Sequence, residues 1–189
     1  PKKQELQTIT REALRARGII RNLLDFARQS QANVVEVDIN ELLQGSLSLL
    51  RHAMDMKGVE LVEHYSSEVL KVSVDRNQMM QVFYNLTTNA LDAMPQGGRL
   101  TLATRAKEDY VLIEFTDTGV GISPKDMERI FEPFFTTKPE AKGTGLGLSI
   151  SYNIVTAAKG TIQVKSKLGK GSTFIVSLPI LKQAQEEES

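Results

Sequence analysis

Apolar and polar positions divide this chain into three stretches of different character. From Lys2 to Ser30 the residues Leu6, Ile9, Ala13, Ala16, Ile20, Leu23 and Ala27 alternate three and four apart. That heptad-like seam predicts a long helix made for a coiled coil or a bundle. Leu14, Ile19, Leu24 and Phe26 widen the apolar surface, which favours a bundle and requires a partner, either a second copy or another helix. Gln29–Asn33 reads as a polar linker. Val34–Ile39 then alternates as a strand, and Asp38 with Glu41 forms a capping box for a helix running to Lys57, stopped by Gly58. Along that helix Leu43, Leu47, Leu50 and Met54 turn inward. Val59–Tyr65, Leu70–Val74, Arg99–Arg105 and Tyr110–Thr116 read as strands, the last with Val111, Ile113 and Phe115 on one face. A short helix near Lys125–Phe131, an irregular stretch Glu132–Gly145 and a helix from Leu146 to Ala158 follow. The last elements are a hairpin, Thr161–Ser166 with Ser172–Leu178, turning at Leu168–Gly171. This mixed order, with strand pairs able to close as hairpins, predicts an α+β domain over residues 34–180 with a largely antiparallel sheet and helices on one face. Residues 1–30 form a separate helical piece and 181–189 a polar tail.

The helix that commands attention is Gln81–Met94. Asp75 and Gln78 cap its start, and Pro95-Gln-Gly-Gly98 ends it. Met79, Phe83 or Val82, Leu86, Ala90 and Ala93 make a core stripe. Beside it runs a second stripe, Gln81, Asn85, Asn89 and Asp92. A solvated helix face ordinarily carries Lys and Glu, yet Asn77–Leu91 contains no charge. Asparagine is a mediocre helix former, so two on one face bring the helix nothing by themselves. Their amide oxygens are suited to a hard, hydrated cation such as Mg²⁺ beside phosphates.

Composition narrows the field only a little. The 189 residues are 41% hydrophobic and 24% charged, with a formal net charge of zero, so bulk charge points neither to nucleic acid nor to an anionic membrane. There is no cysteine, hence no disulfide and no thiolate metal site. No apolar run approaches the ~18 residues of a membrane span.

Two further stretches carry chemistry. Asp117-Thr-Gly119-Val-Gly121 follows a strand, where a carboxylate can accept from an exocyclic amine and the glycines let backbone approach a flat ring. The Asp-Thr-Gly start of an aspartic protease is a decoy, since that chemistry needs two facing copies and Val120 follows here. Gly143-Thr144-Gly145-Leu146-Gly147-Leu148 opens a helix after Lys138 and Lys142, a combination that suits an anion. It fits neither the P-loop nor the dinucleotide glycine pattern. Glu132-Pro-Phe-Phe-Thr-Thr-Lys138 is long for a connector and is expected to behave as a mobile cover, with ordinary packing an equal alternative for its two phenylalanines. His52 and His64 lack a nucleophile or metal-type neighbour and read as structural.

Taken in order, Asn85-Leu-Thr-Thr-Asn89-Ala-Leu-Asp-Ala93, Asp117–Gly121, Phe131-Glu-Pro-Phe-Phe135 and Gly143–Gly147 resemble the N, G1, F and G2 boxes of two-component sensor histidine kinases. Gly169-Lys-Gly-Ser-Thr-Phe174 resembles that family's closing hairpin, and Ile20–Arg28 is similar to the second helix of its dimerisation and phosphotransfer domain. The resemblance implies the Bergerat α/β sandwich, a mixed, mostly antiparallel sheet under three helices, binding ATP with Mg²⁺. Asn89 would ligate Mg²⁺ and Asn85 would lie near the phosphates. Asp117 would take the adenine amine, with Gly119 and Gly121 beside the ring. Lys142, Gly143, Thr144, Gly145, Leu146, Gly147 and Leu148 would hold phosphates, with Lys138 reaching them and Thr173 touching the adenine side through water. The partners implied are a cognate response regulator and a dimerisation and phosphotransfer helix of the same or a second subunit, in the cytoplasm, with no nucleic acid and no membrane contact from this fragment. The family's acceptor histidine, followed by an acidic residue and Pro-Leu, matches neither His52 nor His64, so the chain is expected to begin after the acceptor helix. An ATP hydrolase or clamp sharing the pocket would carry Glu where Asn85 stands; an anti-sigma-type Ser/Thr kinase would lack the Lys2–Ser30 helix; a nucleotide-switch module is the fourth reading.

Overall fold

The computed structural model describes residues 33–48, 50–138 and 143–181. The seam from Leu6 to Ala27, most of the linker, Lys142 and the tail from Lys182 lie outside them.

Strand β1 (Val34–Asp38) pairs antiparallel with β3 (Lys71–Asp75) in a small two-stranded sheet. The capping prediction holds at the next step: Asp38 Oδ1 accepts from the backbone N–H of Asn40 at 2.7 Å and of Glu41 at 3.2 Å, starting α1 (Ile39–Ser48). The single helix expected to reach Lys57 is instead two, α1 and α2 (Arg51–Lys57). The break has a local cause. Ser46 Oγ donates to the Leu43 carbonyl and Ser48 Oγ to the Gly45 carbonyl, and the Leu50 N–H turns back only three residues to Leu47. Hydroxyl competition of this kind, with a glycine in the same turn, weakens the regular ladder. Leu43, Leu47, Leu50 and Met54 are nevertheless all buried, and Gly58 ends α2 at φ +65°.

The main sheet has five strands in the order β2 (Val59–His64), β4 (Gly98–Lys107), β5 (Tyr110–Asp117), β7 (Gly171–Pro179) and β6 (Thr161–Lys167). Only β2 with β4 is parallel, and the chain between them crosses over through β3 and α3 (Arg76–Ala93), as a parallel pair requires. The sheet is therefore mixed and mostly antiparallel, as expected. Along β5 Val111, Ile113, Phe115 and Asp117 are all buried, so one face of this strand lies under the helices. Phe115 meets Phe83 of α3 with ring centroids 5.8 Å apart. Helix α3 packs between α1 and α5 (Gly147–Ala157), completing the layer of three helices. Its start is capped as predicted, Asp75 accepting from the Gln78 N–H at 3.0 Å. A four-residue helix, α4 (Pro124–Met127), capped by Ser123, is shorter than the Lys125–Phe131 expectation.

Among the described side chains one buried polar atom lacks a partner, the hydroxyl of Thr87 on the core side of α3. Val has the same shape and a similar helix propensity. Thr87→Val is therefore expected to stabilise the fold by about 1 kcal/mol, because an unpaired buried hydroxyl keeps its desolvation cost. A higher urea midpoint at unchanged m would show this; a lower midpoint would mean that the hydroxyl is bonded.

Candidate functional site

Asp117 ends β5 on the side that the strand's alternation turns toward the helices, and it is only 4% exposed. Its Oδ1 accepts from the N–H of Gly119 at 2.8 Å and of Ser172, its cross-strand partner on β7, at 3.3 Å. Oδ2 accepts no hydrogen bond among the described residues, and the residue lines a cavity of about 570 Å³. Burial pushes this carboxyl above the usual range, against the opposing pull of the two N–H groups. A buried carboxylate with one oxygen tied and one available is an acceptor waiting for a donor.

The loop after Asp117 is held by close backbone contacts. A Cβ on Gly119 would stand 2.5 Å from the Ala93 carbonyl at the end of α3, so Gly119 serves packing and does not line the cavity. Gly121 does line it, at φ +71°, pressed against the Lys167 carbonyl. Ile122 N–H donates to Ser166 Oγ at 2.8 Å, which in turn meets Ser172 Oγ at 2.9 Å, so the loop and the Asp117 partner strand are tied together.

From α3 the cavity receives Asn85, Asn89 and Asp92, the polar stripe of the sequence without Gln81, together with Thr88 and Ala93. Asn85 Nδ2 donates to the Gly147 carbonyl at 3.1 Å and to Ser151 Oγ at 3.4 Å, fastening α3 to the start of α5. Asn89 Oδ1 faces the Lys138 ammonium at 2.9 Å, and that ammonium also meets Asp92 Oδ2 at 2.8 Å. The second carboxylate oxygen of Asp92 meets Lys57 at 2.9 Å. Burial would raise the Asp92 pKa, but the ammonium groups of Lys138 and Lys57 outweigh it and hold the carboxyl below its usual range. An oxygen-only pair, amide plus carboxylate, is a donor set that fits a hard cation such as Mg²⁺.

Gly143, Thr144, Gly145, Gly147 and Leu148 line the cavity at the start of α5, which has no side-chain cap. Leu146 is buried away from it, and Lys142 lies outside the described residues. Thr173 is not among the lining residues: its Oγ1 pairs with Thr116 Oγ1 at 3.0 Å on the other face of the sheet. The residue that stands beside Asp117 is Ser172. The long-range pairing of β7 with β5 puts Ser172 opposite Asp117, and strand alternation then turns Thr173 to the reverse face. The phenylalanines divide: Phe135 lines the cavity beneath the Arg129 guanidinium, 4.6 Å from its ring centroid, whereas Phe134 is 62% exposed at φ +66°. Thr136, Thr137 and Phe174, from the Glu132–Lys138 stretch and the closing hairpin, also line the cavity, as do Ile122 and Ile130, which had no motif to mark them. His52 and His64 are exposed, and neither lines the cavity.

Residues 74–182 match the model of the histidine kinase-, DNA gyrase B- and HSP90-like ATPases. The chain belongs to that family. Sensor kinase CckA of Brucella abortus (strain 2308) is 39% identical over 96% of this chain, although the chain spans only 21% of that relative's length. Among solved structures, the nucleotide-free catalytic domain of histidine kinase ThkA aligns at TM-score 0.71 and 30% identity, over 78% of this chain and 95% of that one. ThkA in complex with response regulator protein TrrA aligns at 0.78 and 27%, over 95% and 51%. Full-length ShkA in complex with AMPPNP aligns at 0.78 and 29%, over 88% and 36%. No helix among the described residues of this ATPase-family chain is long and apolar enough to cross a membrane.

Proposed function

We propose that this chain is the ATP-binding catalytic part of a cytoplasmic two-component sensor histidine kinase, passing the γ-phosphoryl group of ATP to a histidine on a dimerisation and phosphotransfer helix and thence serving a cognate response regulator. The observation that carries the nucleotide reading is the buried Asp117 carboxylate, with one oxygen fixed by two backbone N–H groups and the other without a partner among the described residues, at the edge of the cavity. It accepts from the adenine amine. The uncapped start of α5, with Gly143, Thr144, Gly145 and Gly147, offers backbone N–H groups to phosphate oxygens. Asn89, with Asp92 beside it, would hold Mg²⁺, which supplies charge neutralisation to the phosphates when bound. Asn85 cannot take a proton from water; it spends its amide on fastening α5 to α3. That favours positioning for transfer over the hydrolase reading.

Both histidines are exposed and outside the cavity lining, so the bare chain is expected to bind Mg·ATP and gain no acid-labile phosphate. An acceptor helix fused before Pro1 should become labelled, and its His→Gln version should not. By calorimetry Asn89→Ala is expected to abolish the gain in ATP affinity that Mg²⁺ brings while metal-free ADP binding falls much less. Labelling of the bare chain that disappears in His52→Gln or His64→Gln would overturn the reading.

A further inference from the structure

Asn89 Oδ1, the oxygen assigned above to Mg²⁺, already holds a cation that the chain itself supplies. The Lys138 ammonium is 2.9 Å from that oxygen and 2.8 Å from Asp92 Oδ2. Asp92 is set in place from the other side: Lys57, at the end of α2, meets its Oδ1 at 2.9 Å and the Leu91 carbonyl at 3.3 Å. Lys57 lies outside the cavity lining, so this contact orients Asp92 and touches nothing bound in the cavity. Lys138 is about one-third exposed, too exposed for a structural core cation and too well gripped for a free surface lysine. An ammonium and a divalent ion at contact distance from the same amide oxygen repel each other strongly. The two cations are alternatives at this oxygen.

We propose that Lys138 is an internal stand-in for the divalent cation. In the nucleotide-free chain it occupies the Asn89–Asp92 oxygen pair, held there by Asp92 as positioned by Lys57, and the metal–nucleotide complex exchanges its metal for the ammonium. The inference rests on the metal reading of Asn89. Its consequence is a sign. If Lys138 and the metal substitute for one another, removing the ammonium makes nucleotide binding more dependent on metal; if they act side by side, the dependence is unchanged.

Calorimetry of ADP binding with Mg²⁺ and with EDTA decides between these. The ratio of the two affinities should rise by roughly three- to fivefold in Lys138→Met, the scale of a half-exposed ion pair, and stay near the wild-type ratio in Lys138→Arg. A second readout needs no nucleotide. Asp92→Asn removes the charge that grips Lys138, and amide exchange over Phe134–Lys138 should then quicken. A ratio that is unchanged or lower in Lys138→Met, or exchange that is unchanged in Asp92→Asn, overturns the stand-in role. A wild-type chain that binds ADP equally well with and without Mg²⁺ would instead remove the metal reading itself, and this inference with it.

Discussion

Asp117→Asn is expected to weaken ATP binding by roughly 5- to 150-fold, the equivalent of a ~1–3 kcal/mol loss on mispairing a buried hydrogen-bonding group. The substituted amide can still accept from Gly119 and Ser172 through its oxygen, which leaves its NH₂ facing the adenine amine, donor against donor. The fold should not suffer. Burial holds the Asp117 carboxyl above its unfolded value, so ionisation is harder in the folded chain. The stability from that raised pKa is full below the unfolded carboxylate range and is lost as pH rises through the folded pKa. At neutral pH the amide carries no such penalty, so the variant should melt no lower than the wild type while binding worse. GTP, with a carbonyl where adenine carries its amine, should bind poorly to the unaltered chain. Equal ATP and GTP affinities by calorimetry would remove Asp117 from base recognition.

Gly121→Ala should cost on the order of 2–5 kcal/mol of stability, combining a left-handed alanine at ~1–2 with overpacking at ~1–3. The residue sits at φ +71°, and an added methyl would collide with the Lys167 carbonyl and approach its carbon to 2.8 Å, backbone atoms that cannot rotate aside. Gly169→Ala is the matched control: φ is +75° there, and nothing lies within 4 Å of the added carbon. It should lose only the conformational part, about 1–2 kcal/mol. The difference between the two urea midpoints isolates the collision. Because Gly121 also lines the cavity, nucleotide affinity should fall in its variant and hold in the Gly169 one. Equal midpoints for both variants would mean that the loop relaxes around the methyl and that its tie to Lys167 is soft.

Much of this was legible in one dimension because it depends on neighbours in the chain. Period-two alternation put Val111, Ile113 and Phe115 on the buried face of β5, and the capping residues Asp38, Asp75 and Gly58 marked helix ends that the structure keeps. The polar stripe of α3 was visible beside the missing charges of Asn77–Leu91, and three of its four residues do line the cavity. The break between α1 and α2 was less visible, since hydroxyl back-bonding from Ser46 and Ser48 competes with a helical pattern that remains intact in the sequence.

What tertiary structure alone decided concerns residues far apart in the chain. Gly119 and Gly121 look alike in sequence, yet Gly119 is spent against the end of α3 and Gly121 borders the cavity. Thr173 and Ser172 are adjacent, and only pairing with β5 says which of them stands beside Asp117. Lys57 and Asp92 are 35 positions apart and Lys138 lies 46 beyond Asp92, so no periodicity could join them. The physical reason is one of range. Side-chain spacing along a helix or strand is set by local backbone geometry and is written in the sequence, whereas a charge finds its partner only after the whole chain has packed.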